Sequence, residues 1–167
     1  METDSYISFK LGEEFFAISV SKVLNIQQVV KITKVPTAPE YMKGVINLRG
    51  TVLPIIDIRM KFGMEPIEYK RDTVILVLNV QINNETVDTG ILVDSVKEVF
   101  EITKEELLPP PGMGAKYKNK FIEAMYKTND EQFVMILDID KVFSSEDLVI
   151  LQETADSEEG AKAEKIE

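Results

Sequence analysis

Short apolar segments, each about the length of a β-strand, recur along most of the chain. They are rich in Val, Ile and Phe, the residues that favour extended backbone. The segments are residues 7–11, 15–18, 23–30, 45–48, 52–58, 74–80, 90–93, 96–102, 121–126 and 133–139. Turn residues such as Gly12 and Gly50 separate several of them. This spacing predicts about ten strands and an all-β fold.

Helical patterns are confined to short stretches. We expect short helices at residues 58–62 and 139–143, and a final helix that begins at Ser144 or Ser145. Ser145 is a plausible N-cap because Glu146 and Asp147 follow it in the first turn. From residue 152 to 167 the chain is acidic and poor in apolar residues. We expect that stretch to be a flexible tail.

Two parts of the chain resemble each other. The run 54–62 (PIIDIRMKF) aligns with 135–143 (MILDIDKVF), and the run 20–23 aligns with 93–96. We interpret this repeat as two similar small β-barrels in tandem, over about residues 12–66 and 67–143, followed by a helix from about 144. Small barrels close their own sheet edges.

Charge and composition exclude several functions. The 167 residues carry a formal charge of −10 and include no Cys and no His. Disulfides, thiolate chemistry, His-ligated metals and a Ser-His-Asp triad are therefore excluded. The acidic balance argues against a nucleic-acid partner, because phosphates are neutralised by clustered Lys and Arg. The first residues are acidic and no apolar run could span a bilayer, so we expect a cytoplasmic protein.

Three carboxylates are candidates for acid–base or metal chemistry. Asp57 and Asp138 sit where a strand should pass into a helix, and Asp94 ends a strand. Helix capping by the first two and a turn at the third is the favoured interpretation. A carboxylate-based, metal-dependent enzyme remains the alternative. An oligonucleotide-binding barrel would fit the strands but needs a basic groove.

The segment from Lys43 to Arg59, KGVINLRGTVLPIIDIR, carries the strongest signal. It predicts a hairpin whose turn presents Arg49, a residue whose planar guanidinium can bind a carboxylate in a bidentate way. The segment closely resembles the GVxNLRGxxxPxxDLR-like signature of the CheW family of bacterial chemotaxis, with Ile58 in place of the usual Leu. The resemblance extends from about Tyr6 to Leu151.

The resemblance implies two SH3-like five-stranded barrels within one CheW-like domain over residues 1–151. It also implies no catalysis, no cofactor and no membrane insertion. CheW proteins join the cytoplasmic tips of methyl-accepting chemoreceptors to the regulatory domain of the histidine kinase CheA, in membrane-associated arrays. The same fold occurs within CheA and CheV, whose additional domains are not expected in this chain.

The resemblance places protein-binding residues along a strand, at the hairpin tip, near a groove and in a Pro-rich loop. They are Val23, Asn25, Ile26, Asn47, Leu48, Arg49, Val74, Gly90, Val99 and Met113. For Val74, Gly90 and Val99, packing within the fold is an equal alternative. Many members of the family carry Glu where this chain has Asn25, so the charge of that Glu is missing here. Met113 takes a loop position where relatives often have an aromatic residue, and its flexible thioether suits adaptable apolar contact.

Overall fold

A computed structural model describes residues 2–110 and 121–154 of the chain. Its strands are β1 (Thr3–Leu11), β2 (Glu14–Ser19), β3 (Val23–Gln28), β4 (Met42–Leu48), β5 (Thr51–Ile56), β6 (Val74–Ile82), β7 (Glu85–Val93), β8 (Ser95–Thr103), β9 (Ile122–Lys127) and β10 (Phe133–Leu137). The helices are α1 (Ile58–Lys61), α2 (Ile139–Val142) and α3 (145–154), with 3-10 turns at Val20–Lys22 and Lys104–Glu106. The predictions of an all-β fold and of two short helices after strands are confirmed.

The strands form two five-stranded sheets. Sheet A has the order β8-β1-β2-β10-β9, and sheet B has the order β3-β6-β7-β5-β4. Neighbouring strands are antiparallel except for β2 with β10 and β5 with β7, which are parallel. Two curled five-stranded sheets agree with the two SH3-like barrels expected from the sequence.

The central strands are apolar on both faces because each sheet has a core on either side. In β6, Ile75 and Val77 pack into a cluster within sheet B, whereas Leu76 and Leu78 pack into the cluster shared by both sheets. Another cluster lies within sheet A. A strand buried on both faces loses the alternation of apolar and polar residues. This burial explains the continuous apolar runs in the sequence.

The sheets do not follow one another along the chain, and the predicted lobes at 12–66 and 67–143 do not coincide with them. Sheet A combines β1 and β2 with β8, β9 and β10, and sheet B contains the five strands between them. We call residues 2–62 (β1 to α1) the N-terminal half and residues 74–154 (β6 to α3) the C-terminal half. The hairpin that opens each half shares a sheet with three strands of the other half and is hydrogen-bonded to two of them.

The sequence repeat is nevertheless visible in the backbone. Asp57 has φ −89° and ψ 96°, and its counterpart Asp138 has φ −86° and ψ 97°. The N–H of Asp57 donates to the Tyr41 carbonyl at 2.8 Å, and the N–H of Asp138 donates to the Phe121 carbonyl at 2.9 Å. The two halves therefore share one local design but exchange their first hairpins.

Ser144, rather than Ser145, caps α3. The N–H of Asp147 donates to Ser144 Oγ at 3.1 Å, and the N–H of Ser144 donates to Asp147 Oδ2 at 2.8 Å. This reciprocal pair is a capping box. Leu151 and Thr154 are buried on α3. The prediction of a flexible tail is thus wrong for residues 152–154. Residues 155–167 lie outside the described part of the chain.

Asp147 also attaches α3 to the N-terminal half. Lys61 Nζ lies 2.5 Å from Asp147 Oδ2, and the Tyr41 hydroxyl donates to Asp147 Oδ1. Burial alone would raise the pKa of Asp147, but hydrogen bonds from Lys61, Tyr41 and Ser144 outweigh burial and hold that pKa below its usual value. Burial, together with the hydrogen bond to Asp147, raises the pKa of Tyr41. The cluster therefore pairs a charged carboxylate with a neutral phenol.

Candidate protein-binding site

The hairpin tip between β4 and β5 presents Arg49 on a fixed turn. Arg49 and Gly50 have φ values of 54° and 86°, so both central residues are left-handed, as in the tight turns that suit a twisted hairpin. Asn47 Oδ1 accepts the Gly50 N–H at 2.9 Å, and Leu48 packs against the cluster within sheet B. The tip is thus held on both sides of the arginine.

The Arg49 side chain is free to bind a partner. It is exposed and forms no ion pair with any residue in 2–110 or 121–154. A guanidinium on a rigid loop loses less conformational entropy on binding than one on a flexible loop. The structure therefore leaves the Arg49 guanidinium exposed on a fixed turn, without an ion-pair partner in the described chain.

Strand β3 is the first strand of sheet B and presents apolar side chains to solvent. Ile26 is 48% exposed, whereas Val23 packs against the core shared by both sheets and Asn25 is half-buried. Leu24, which the sequence analysis missed, is 57% exposed. Its signal was the alternation along β3: with Val23 facing the core, Leu24 and Ile26 had to face outward. We call Leu24 and Ile26 the β3 patch.

An open groove of about 610 Å³ lies between the end of β3 and the start of β8. It is lined by Gln28, Val29, Lys70, Arg71, Asp72, Thr73, Val74, Ser95, Val96 and Lys97. Val74 therefore lies at the groove where the sequence analysis expected it. Three cations face one anion here, although the chain as a whole carries a charge of −10. The groove is a cationic region on an acidic protein.

Gly90 does not lie on a surface. It is buried in β7, and a Cβ at this position would approach Ile55 Cδ1 and Ile75 Cγ2 to 2.7 Å. Of the two interpretations of Gly90, its burial favours packing: the absence of a side chain allows β5, β6 and β7 to pack closely.

The remaining predicted protein-binding residues are Val99 and Met113. Val99, on the edge strand β8 of sheet A, is 60% exposed and does not line the groove. Met113 lies outside the described residues. The structure thus places the hairpin tip, the β3 patch and Val74 on accessible regions of sheet B, with Val99 on sheet A.

Asp57 has a structural role. It is fully buried, and its carboxylate accepts the N–H of Arg59 at 3.1 Å and the N–H of Ile67 at 2.8 Å. Capping of α1 by Asp57 is therefore confirmed. Because both oxygens accept backbone donors, Asp57 is poorly placed for acid–base work.

Asp94 and Asp138 each make contacts of their own within the fold. Asp94 accepts the Gly12 N–H at 2.6 Å and forms an ion pair with Arg59 at 2.9 Å. Asp138 takes the N-cap position of α2, but its side chain makes no capping hydrogen bond and lies 3.8 Å from Lys141. The prediction that the Asp138 side chain caps α2 is therefore wrong. Among the described residues, no three acidic side chains gather as metal ligands would, and no helix has the length and apolarity to cross a bilayer.

Comparison with known proteins gives consistent results along the chain. A family model described as the CheW-like domain matches residues 5–147. Chemotaxis protein CheW of Klebsiella aerogenes is 33% identical over 152 residues, covering 91% of this chain and 89% of that protein. A probable chemotaxis protein CheW of Rhizobium etli is 33% identical over 138 residues, covering 83% of this chain and 86% of that protein. The crystal structure of the scaffolding protein TtCheW from Thermoanaerobacter tengcongensis superposes with a TM-score of 0.73 at 29% identity, covering 88% of this chain and 92% of that one.

Proposed function

This chain belongs to the CheW family of chemotaxis coupling and scaffold proteins, and from that membership we propose that it is a non-catalytic adaptor. In this proposal it joins the cytoplasmic tips of chemoreceptors to the regulatory domain of the histidine kinase CheA and supports kinase activation. It would act on the cytoplasmic side of membrane-associated receptor arrays. Its contacts would be with proteins, without a cofactor or nucleic acid.

The observation that best supports the proposal is the presentation of Arg49. An adaptor needs preorganised side chains that remain unpaired until a partner supplies the matching group. Arg49 meets this requirement, because the turn fixes its backbone and its guanidinium has no ion-pair partner in the described chain. Arg is also among the residues that most often dominate the binding energy of an interface.

The β3 patch offers further contact area on sheet B, and the cationic groove offers more between the end of β3 and the start of β8 of sheet A. Leu24 and Ile26 provide exposed apolar surface, and the groove provides Arg71 and Lys97, which form no ion pairs within the described residues. By contrast, Asp57, Asp94 and Asp138 are accounted for by contacts within the fold. This contrast favours binding over catalysis.

The test is reconstitution of receptor fragment, CheA and this protein with Arg49→Glu. We expect complex recovery and kinase activation to fall by tenfold or more, since loss of a central interface Arg costs roughly 2 to 4 kcal/mol of binding. Thermal unfolding should be unchanged, because exposed substitutions usually alter stability by no more than about 0.5 kcal/mol.

Lys104→Glu is the matched control, because it makes the same charge change at another exposed cation. It should retain activation. If the wild-type protein recruits neither partner, the adaptor role is wrong. If Arg49→Glu activates the kinase as the wild type does, Arg49 has no part in the interface.

A further inference from the structure

Within the part of the chain that the structure describes, the closest ion pairs all join the two halves, and they share one polarity. Among the described residues these pairs are Lys22 with Asp140 at 2.7 Å, Arg59 with Asp94 at 2.9 Å and Lys61 with Asp147 at 2.5 Å. In each pair the N-terminal half supplies the cation and the C-terminal half supplies the anion. The remaining ion pairs are local, 3.8 Å or longer, and involve more exposed side chains.

Two of these pairs occupy similar places in the repeat. Arg59 lies on α1 and meets Asp94 at the end of the β6–β7 hairpin, while Asp140 lies on α2 and meets Lys22 at the end of the β1–β2 hairpin. Arg59 and Asp140 occupy matching positions in the aligned runs 54–62 and 135–143. Their partners Lys22 and Asp94 are one position apart in the aligned runs 20–23 and 93–96. A similar contact is therefore made twice, with its charges exchanged.

Each of the two carboxylates also accepts a backbone hydrogen bond, from the other half for Asp94 and from its own C-terminal half for Asp140. Asp94 accepts the N–H of Gly12 in the β1–β2 turn at 2.6 Å, and Asp140 accepts the N–H of Gln81 near the β6–β7 turn at 2.8 Å. Both ion pairs are also partly shielded, with side chains between 15% and 29% exposed. They therefore act where the exchanged hairpins meet the opposite half, with less screening than fully exposed pairs.

We propose that this polarity makes the surface of each half selective for the other half and rejects a second copy of itself. Because the halves share one design, a hairpin could also share a sheet with three strands of the same half from another chain. Such pairing of two N-terminal halves would bring Arg59 against Lys22. Pairing of two C-terminal halves would bring Asp140 against Asp94. Like charges at a contact disfavour the wrong partner.

The test reverses one pair in the full-length chain, with Lys22→Asp and Asp140→Lys together. The correct pairing of halves keeps both ion pairs in this variant. Pairing of like halves now also brings opposite charges together, so its penalty is removed. After refolding from urea at matched concentration, we expect about fivefold more dimer than in the wild type, measured by size exclusion with light scattering.

A carbodiimide cross-link identifies the dimer. A link between the new amine at position 140 and Asp94 forms only when two C-terminal halves meet, because in the native fold Asp94 faces Arg59. Lys127→Glu with Glu131→Lys is the control, since it reverses a local pair within one half. It should refold as the wild type does.

A reversed variant that forms no more dimer than the control would overturn the proposal, as would a dimer without the cross-link. If the variant lacks a cooperative melting transition, the reciprocal reversal, Arg59→Asp with Asp94→Arg, takes its place. That variant must also dimerise, with a cross-link between Lys22 and the new carboxylate at position 59, or the proposal is wrong. The outcome is independent of receptor and kinase binding, so the adaptor role can stand or fall separately.

Discussion

Asp57 Oδ2 accepts the Ile67 N–H at 2.8 Å, so a fully buried carboxylate at the end of β5 holds the segment that leads from one half to the other. The side chain of its repeat counterpart, Asp138, makes no capping hydrogen bond to the start of α2. The aligned aspartates therefore have different energetic roles.

We predict that Asp57→Asn destabilises the fold by about 1 to 3 kcal/mol, because an amide nitrogen in place of one oxygen would face a backbone donor. Asp138→Asn should cost no more than about 0.5 kcal/mol. Urea unfolding of both variants measures the difference. Equal losses would show that burial of Asp57 is not what distinguishes the two sites.

Gly90→Ala should lower stability by about 1 to 3 kcal/mol, because the added methyl group would overlap Ile55 and Ile75. Coupling of the receptor to CheA by this variant should decrease only in proportion to the fraction of the protein that is folded. Ile55→Val removes Ile55 Cδ1, one of the two atoms that would clash, and should restore part of the melting temperature of the Gly90→Ala variant. A variant with wild-type melting but no receptor binding would return Gly90 to the interface.

Replacement of the β3 patch, with Leu24→Thr and Ile26→Thr, should change the free energy of unfolding by no more than about 0.5 kcal/mol per site. Both side chains are about half exposed, so little buried contact is lost. Thr keeps the β propensity of the strand. Partner binding should weaken about tenfold, a loss of about 1.4 kcal/mol. Val149→Ala, at a residue 50% exposed on α3, is the control and should bind normally. Unweakened binding by the double variant would remove the patch from the interface.

The Asp147 cluster should make the protein sensitive to acid. The folded pKa of Asp147 lies below its usual 3.8, so the unfolded chain takes up its proton first as the pH falls. The stabilisation is present above about pH 5 and is lost as the pH falls through the folded pKa. Asp147→Asn should be less stable at neutral pH and show a shallower loss of unfolding free energy between about pH 5 and 3. Parallel curves for the two proteins would contradict this assignment.

The sequence predicted the strands better than their partners. Runs such as 52–58 and 74–80 identify strands because β-branched residues dominate them, and the repeat correctly matched Asp57 with Asp138. Assignment to sheets failed because strands such as β6 are buried on both faces and carry no alternation that indicates a neighbour. The repeat also suggested contiguous lobes, because an alignment does not reveal that hairpins are exchanged.

The candidate site was predictable where local geometry defines it. The turn at Arg49 follows from the residues around Gly50, and its exposure was expected. The sequence left the role of Gly90 open because packing between β5, β6 and β7 depends on contacts distant in sequence. Leu24 was missed because the run 23–30 was read as one apolar segment rather than as a strand with an inner and an outer face.

The interleaved order of the strands has a consequence during synthesis on the ribosome. Sheet B uses only β3 to β7 and is complete once Val93 has emerged, whereas sheet A must wait for β10, which ends at Leu137. Until then β1 and β2 are translated but lack their neighbours, since Thr3 pairs with Thr103 across a hundred residues of chain. Such distant pairing is slow and leaves apolar strand edges exposed to other nascent chains. We therefore expect the first hairpin to be the segment on which chaperones act while the rest of the polypeptide is being made.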